Sequence, residues 1–266
     1  MKTEELDWKR IMKCVSQDAR RVGKNNVDLV LIEATLRQLV NICGAFSQNR
    51  RVLQRIGRCL LGDEVKIIAP VCPDYSHEGG KYTFKSLSGG VSLLAQRHIT
   101  FLKEVADIIP HAEVTLLVAD HEADDPELCR VVGKSRDEFT QLVMKSVIAT
   151  QEVVKPLGWQ VRAMTDLIPD LVPREKVMAE SISSRKEFTD RIKSDTYYRA
   201  DMYRAINRSL SLEEMNQRTI VTASQYMALG SWASEHMYIV CNHTTTNLTW
   251  YLQAETGVLH NPIAVY

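Results

Sequence analysis

Hydrophobic residues recur at helical spacing through the first sixty residues of the chain. In each of three segments the apolar positions lie three or four residues apart, which places them on one face and predicts an amphipathic helix. Gly62 follows the third segment, and glycine commonly ends a helix. The predicted helices run from Trp8 to Ala19, from Val27 to Phe46 and from Asn49 to Leu61.

After Gly62 the pattern changes to short β-branched runs that alternate with amphipathic segments. A strand at Val65–Val71, a helix from Gly90 to Ile109 and a strand at Glu113–Ala119 form a βαβ unit, which implies a parallel sheet. The later segments are a helix from Ser135 to Leu157, a strand from Gly158 to Met164, a mostly helical stretch from Val172 to His236, and short strands at Met237–Cys241, Leu248–Leu252 and Ile263–Val265. We expect these last strands to complete the sheet with an antiparallel edge.

The order of elements predicts one α/β domain. Its core, residues 63–266, is expected to be a Rossmann-like, mostly parallel sheet flanked by helices, and residues 1–62 are expected to form an N-terminal helical cap. Ser135 is predicted to cap the N-terminus of its helix, and Ser211 with Glu214 forms a capping box at the start of the last one. Ser184 is predicted to cap the helix before it.

Composition removes several classes of protein. The 266 residues are 45% hydrophobic and 25% charged, which excludes a disordered chain. The 33 basic and 33 acidic residues cancel, so nucleic acid or anionic lipid would need a local basic patch. No apolar run approaches the roughly 18 residues that a transmembrane helix needs. The six cysteines lack metal-binding spacing and the N-terminus lacks the pattern of a secretory signal, so we expect reduced thiols in a cytoplasmic protein.

Side chains that can bind ligands or transfer protons follow the predicted strands, at the sheet edge where open α/β sheets bind ligands. About eighteen residues, most of them polar, separate the first strand from its helix, where two to six are usual. Gly79-Gly80-Lys81 could wrap a phosphate, and Ser88-Gly89-Gly90 is a second candidate anion cradle. A solvated surface loop is the alternative. The substrate-binding candidates in this segment are Ser76, His77, Lys81 and Lys85.

The second and the late strand supply the catalytic candidates. Asp120 ends the second strand, where a carboxylate can hold an amine or a proton. His243 and His260 follow strand-like runs near polar partners and could act as general acid and base, with Asn242 as a substrate ligand. His98 lies on an apolar helix face and is expected to be a core residue. The acidic run from Asp120 to Asp125 lacks fixed ligand spacing, so no metal or other cofactor is predicted.

The layout from about Val65 onward resembles the isocyanide (isonitrile) synthases. The run Ile67-Ile68-Ala69-Pro70-Val71-Cys72-Pro73, followed by Ser76, resembles the first strand and loop of that family. Leu94 to Val105 and the strand that ends at Asp120 are similar to its next helix and strand. Tyr238-Ile239-Val240-Cys241-Asn242-His243 and His260-Asn261 resemble its late strand and final turn.

This resemblance implies an enzyme that converts the amino group of an amino acid into an isonitrile, with a pentulose phosphate as carbon donor. It implies that Lys81 or Lys85 holds the sugar phosphate and that Asp120 binds the substrate amine. His243 and His260 would then move protons, and no metal would be required.

Two other functions stay open. A cyclodipeptide-synthase-like enzyme would take aminoacyl-tRNA and use Ser76 or Cys72 as nucleophile, but the zero net charge disfavours tRNA as a partner. A non-catalytic binding domain would use the same polar loops only as a rim. A serine hydrolase with a GxSxG elbow, an HExxH metalloprotease and a GxGxxG dinucleotide enzyme are disfavoured because these motifs are absent from the sequence.

Overall fold

The computed structural model describes residues 6–43, 50–78, 81–109, 111–200, 210–243 and 258–261. Its α-helices are α1 (Trp8–Arg21), α2 (Leu29–Cys43), α3 (Arg50–Cys59), α4 (Leu93–Ile108), α5 (Pro126–Val132), α6 (Arg136–Val154), α7 (Met164–Leu167), α8 (Leu171–Ser184), α9 (Thr189–Tyr198) and α10 (Leu212–Glu235). Its strands are β1 (Lys66–Val71), β2 (Asp74–Glu78), β3 (Lys81–Ser88), β4 (Glu113–Val118), β5 (Gln160–Ala163), β6 (Tyr238–His243) and β7 (Val258–Asn261).

Five strands form a parallel sheet in the order β5-β4-β1-β6-β7. Numbered along the chain within this sheet, the order is 3-2-1-4-5, as in Rossmann-type folds. The predicted α/β fold with a Rossmann-like sheet is therefore confirmed. The expected antiparallel edge is wrong, because β7 pairs in parallel with β6. The strands predicted at 248–252 and 263–265 lie outside the described residues.

The sheet is buried on both faces, which explains the continuous apolar run of β1. Successive side chains point to opposite faces, so Ile67 and Ile68 enter different apolar clusters although both are fully buried. Ile67 packs in the cluster that contains residues of α1 to α4 and α6. Ile68 packs with residues of α10 and with Leu171 of α8 on the other face.

The N-terminal helices share the first of these clusters and form the expected cap over the sheet. Ile11 and Val15 of α1 are fully buried. Helix α1 packs on α3 at Gly57, which has no side chain to separate the two helices. A Cβ atom at Gly57 would lie 2.6 Å from Val15 Cγ2. This close approach requires a glycine at position 57.

The long loop predicted after the first strand is largely an antiparallel hairpin, β2–β3. Asp74 closes its base, since the Asp74 carboxylate accepts hydrogen bonds from the Ser88 hydroxyl and, at 3.1 Å, from the Gly90 amide. The predicted anion cradle at Ser88-Gly89-Gly90 therefore holds a carboxylate of the chain itself. The helix expected from Gly90 begins at Leu93, after Ser92 caps it.

Helix caps follow the sequence at two of three positions. Ser135 and Ser211 form complete capping boxes with Glu138 and Glu214. The prediction for Ser184 is wrong, because this serine ends α8 and its hydroxyl donates to the Ser181 carbonyl at 2.9 Å. A hydroxyl can bond a carbonyl one turn back, so serine alone does not mark a helix start.

Of the helices described, none has the length and apolar character needed to cross a bilayer.

Candidate functional site

The order of the sheet places its switch point between β1 and β6, where the chain turns to opposite sides of the sheet. Polar residues gather beyond the carboxyl ends of β1 and β4, close to this point. Asp120 follows β4 and opens a short 3-10 helix, Asp120–Asp124. This helix directs Glu122 toward β2 of the hairpin and His121 toward α8 and α10.

Glu122 is paired with a buried tyrosine. The hydroxyl of Tyr75 donates to Glu122 Oε2 at 2.6 Å, and the Tyr75 ring packs against Phe84 and Phe139. Burial raises the pKa of the Glu122 carboxyl to about 7, against the opposing effects of the Tyr75 hydrogen bond and the Arg199 charge. Burial and the charge of Glu122 also raise the pKa of Tyr75 well above its usual value. Near neutral pH Tyr75 therefore stays a donor while Glu122 can gain or lose a proton.

A second carboxyl, Glu175 of α8, lies near the first. Burial and, to a lesser extent, the charge of Glu122 raise the pKa of Glu175 to about 8. Glu175 Oε1 lies 3.5 Å from His121 Nε2, and the two side chains are only 13% and 7% exposed. Burial lowers the pKa of His121, so its imidazole is neutral at pH 7. Gln225 of α10 contacts the same ring nitrogen at 3.2 Å.

Two buried polar atoms of this group lack a hydrogen-bond partner among the described residues. They are His121 Nδ1 and Glu175 Oε1. Buried polar atoms are normally paired, because an unpaired one costs about 1–3 kcal/mol. An unpaired carboxyl oxygen and an unpaired ring nitrogen on neighbouring side chains are suited to a polar ligand. We call Tyr75, His121, Glu122 and Glu175 the buried acid site.

The residues around the buried acid site include a thiol and two ion-paired carboxylates. Burial, together with the charge of Glu122, raises the pKa of the Cys72 thiol, so a nucleophilic thiolate is strongly disfavoured. Asp125 is paired with Arg218 at 3.1 Å, and Asp124 with Arg136 at 2.6 Å. Within the described part of the chain, no group of three or more histidine, cysteine, aspartate or glutamate residues could hold a metal ion.

Comparison with known proteins identifies no relative. No family model, curated protein or solved structure matches this chain.

Asp120, the predicted amine ligand, is held by the neighbouring strand connection. Its carboxylate accepts hydrogen bonds from the Thr165 amide at 3.0 Å and from the Thr165 hydroxyl. These bonds join the carboxyl end of β4 to helix α7, which follows β5. Asp120 precedes the buried acid site directly and shapes the start of its 3-10 helix.

The substrate-binding candidates of the hairpin are spread over its surface. Ser76 Oγ accepts from the amides of Lys85 and Ser86 at 2.9 and 3.0 Å, so it fixes the irregular pairing of β2 with β3. His77 is exposed and its ring meets that of Tyr82 edge-on. Lys85 is also exposed, with Nζ 3.9 Å from Glu78 Oε2. The backbone of Lys81 pairs with Glu78; its side chain and Gly79-Gly80 lie outside the described structure.

The late-strand candidates lie within strands and not in the turns predicted to follow them. Asn242 is buried in β6, and His243 is the last residue of that strand. His260 lies in β7, in register with Asn242. The side chains of the two histidines lie outside the described residues.

The buried His98 is a core residue as expected, and burial lowers its pKa to about 4.

The sequence missed the residues that the structure brings together. Tyr75 and Glu122 stand in the polar segments after the first two predicted strands, but nothing in their spacing distinguishes them from their neighbours. Glu175 lies on a helix more than fifty residues further along the chain, and no local pattern connects it with Glu122. An acid within a helical segment is usually an exposed residue, so only the packing of α8 reveals its burial.

Proposed function

We propose that the chain is an enzyme that binds an amine-bearing small molecule, an amino acid, and moves a proton on its amino group. The observation that carries the proposal is the pair of buried carboxyls, Glu122 and Glu175, whose pKa values are raised to about 7 and about 8. Acids with such values in a buried site at the sheet edge are suited to general acid-base chemistry near neutral pH.

A substrate ammonium would complete this site electrostatically. A cation between Glu122 and Glu175 supplies the opposite charge that the two carboxylates lack, and so favours their ionised forms. The unpaired Glu175 Oε1 can accept an N–H bond from the ammonium. Glu122 can then take a proton from the ammonium and leave a nucleophilic amine, while Tyr75 donates to the Glu122 carboxyl.

The resemblance to isonitrile synthases makes the proposal more specific: the amine would become an isonitrile with a pentulose phosphate as carbon donor. In this version Lys81 or Lys85 of the hairpin binds the phosphate, and Asp120, His243 and His260 assist the reaction. The strand order of the sheet is compatible with it. The exposed Lys85 faces Glu78, which weakens its attraction for an anion.

Transfer of an aminoacyl group to a nucleophile of the chain receives less support. The Cys72 thiol is kept protonated by burial, and Ser76 Oγ is occupied by two backbone amides. The nearby charge of Glu122 further disfavours a thiolate at Cys72. A non-catalytic binding domain is the outcome left if amines bind and no turnover is found.

The test is a thermal-shift panel of amino acids, their N-acetylated forms and pentose phosphates. A ligand present at a hundred times its dissociation constant stabilises the folded state by about 2.7 kcal/mol. We expect a free amino acid to raise the melting temperature and its N-acetyl form, which lacks the cation, to leave it unchanged. No shift with any amine, or equal shifts with both forms, would contradict the proposal.

Two variants locate the effect. Glu122→Gln removes the charge that attracts the ammonium and is expected to abolish the shift. Glu104→Gln removes an exposed carboxylate on α4 and is expected to preserve it. Calorimetry in two buffers of different ionisation enthalpy should show proton release on binding by the unaltered chain, because the cation favours ionised carboxyls.

A further inference from the structure

The neutral chain carries its charge unevenly. Residues 1–62 contain 12 basic and 6 acidic residues, whereas residues 63–266 contain 21 and 27. The N-terminal segment is therefore at +6 and the remainder at −6 when histidines are neutral. The local basic patch that a polyanion requires is present although the net charge is zero.

Helices α1 and α3 hold most of this positive charge. Together they carry nine basic residues and one acidic residue, Asp18. Lys9, Lys13 and Arg20 lie on one side of α1, because residues four and eleven positions apart fall close together around a helix. The buried residues of α1 are Ile11, Val15 and Ala19, which lie on the opposite side. All three cationic side chains are exposed.

The contact between α1 and α3 brings the cations of the two helices onto one surface. Gln54 Nε2 donates to Cys14 Sγ at 3.2 Å across this contact. Arg10 lies one turn before Cys14, and Arg58 lies one turn after Gln54, so the two arginines flank the contact line. Both are exposed. We call Lys9, Arg10, Lys13, Arg20 and Arg58 the basic face.

The basic face is not neutralised within the described structure. Arg21 pairs with Asp18, and the half-buried Arg55 donates to the Gly230 carbonyl. Arg21 and Arg55 are therefore not counted in the basic face. None of the five cations of the face forms an ion pair with a carboxylate of the described residues. Along α1, the Cα atoms of Lys9 and Lys13 are about 6 Å apart at 1.5 Å per residue, so the two cations lie one turn apart on the same side.

The surroundings of the face favour nucleic acid over a membrane. A helix that lies on a membrane exposes an apolar face beside its cations, but the apolar face of α1 is buried in the core. Single strands need exposed aromatic rings for stacking, and the aromatic residue of α1, Trp8, is covered by the Arg37 guanidinium at 4.1 Å from its ring centroid. The partner that remains is a nucleic-acid duplex, which presents its phosphates and sugars to a protein surface.

We propose that the basic face binds the phosphate backbone of base-paired RNA. Helices α1 and α3 keep their apolar sides in the shared core, so the surface they offer to a partner is the polar and cationic one. Double-stranded RNA is recognised mainly through its shape, phosphates and 2′-hydroxyl groups, which a flat polar surface can contact. Ser16 and Gln17 provide uncharged hydrogen-bonding groups between Lys13 and Arg20.

The test compares binding of a fluorescent 20-base-pair RNA duplex across salt concentrations. The quadruple variant K9Q/K13Q/R20Q/R58Q removes four cations of the face. The matched control K103Q/K155Q/K186Q/K193Q removes four exposed lysines elsewhere and changes the net charge equally. Using the value of about 0.9 per phosphate contact for duplexes, the salt slope of log affinity should fall by up to about 3.6 in the quadruple variant. Its affinity should fall by about tenfold or more at moderate salt.

Each remaining outcome decides the proposal. Equal losses in both variants would overturn it, because general charge would then explain binding. No binding by the unaltered chain, tighter binding to duplex DNA than to RNA, or tighter binding to phosphatidylserine vesicles would also overturn it. Circular dichroism melting checks that both variants fold. The amine-induced thermal shift should persist in the quadruple variant, so failure of this proposal is distinguishable from failure of the proposed activity.

Discussion

At the scale of single residues, the notable feature is a carboxyl that stays buried at the cost of its charge. The Tyr75 hydroxyl donates a hydrogen bond to Glu122, and burial opposes the ionisation of the Glu122 carboxyl. Its folded pKa of about 7 exceeds the ordinary value of 4.5, so the folded state binds the proton more tightly than the unfolded state. Its contribution to stability is therefore complete below about pH 4.5 and is lost as the pH rises toward 7.

Glu122→Gln tests this linkage. Glutamine resembles the protonated acid, so the variant should match the unaltered chain near pH 4.5 and become more stable than it at pH 8. At about 1.4 kcal/mol per pKa unit, the difference in the free energy of unfolding should reach up to about 3 kcal/mol. Urea unfolding at both pH values measures it, with Glu104→Gln as the exposed control. A pH-independent difference would contradict the assigned burial.

Tyr75→Phe tests the hydrogen bond. The Tyr75 hydroxyl favours the ionised form of Glu122, so its removal should raise the pKa of Glu122 above 7, by about one unit for a bond worth roughly 1.4 kcal/mol. Carbon-13 NMR titration of labelled glutamate carboxyls measures the change. Tyr197→Phe, at a side chain that is 86% exposed, should leave the titration unchanged. An unchanged Glu122 titration in Tyr75→Phe would remove Tyr75 from the site.

At the scale of elements, two contacts fix how secondary structures approach one another. Asp74 closes the β2–β3 hairpin and thereby sets the start of α4, whose Leu94 amide also donates to the Tyr82 hydroxyl at 2.9 Å. Gly57 sets the distance between α1 and α3. The Asp74 contact positions the hairpin, which places Tyr75 in the buried acid site. The Gly57 contact brings α1 and α3 together, and these two helices form the basic face.

Gly57→Ala should destabilise the protein, although alanine is usually the better residue inside a helix. The new Cβ would lie 2.6 Å from the branched and stiff side chain of Val15, and overpacking of this kind costs about 1–3 kcal/mol. The double variant G57A/V15A removes the clash and should recover part of the loss. Thermal unfolding measures both. If the single variant is more stable than the unaltered chain, the close α1–α3 contact is wrong.

At the scale of the whole molecule, the N-terminal helices and the sheet share one apolar cluster. Shared burial couples their unfolding, so the cap and the core should unfold as one cooperative unit. The helices on the opposite face pack in a second apolar cluster. Strands β1 and β4 contribute residues to both clusters and so connect them. The same arrangement places a basic surface on one part of the chain and the buried acid site on another.

Unfolding in urea should therefore show a single transition. Far-UV circular dichroism reports all helices, and fluorescence reports the four tryptophans, among them Trp8 of α1 and Trp232 of α10 on opposite faces of the sheet. The midpoints from the two probes should coincide within experimental error. Midpoints that differ between the two probes would contradict a single cooperative unit.

The sequence by itself determined the α/β class, the parallel strands, the buried His98 and the capping boxes at Ser135 and Ser211. These features depend on local periodicity and on side-chain bonds within one turn, both of which are written along the chain. The hairpin between β1 and α4 was not predicted, because its strands are polar and stabilised by Asp74 and Ser76.

Only the tertiary structure decided the buried acid site. Glu175 approaches His121 because α8 packs over one face of the sheet. Tyr75 reaches Glu122 because the hairpin packs against α5 and α6, and α6 also contacts the 3-10 helix that carries Glu122. The basic face likewise depends on the packing of α1 against α3, which total composition conceals. Burial, pKa and the joining of charges are properties of distances between residues far apart in the chain, and no local pattern encodes these distances.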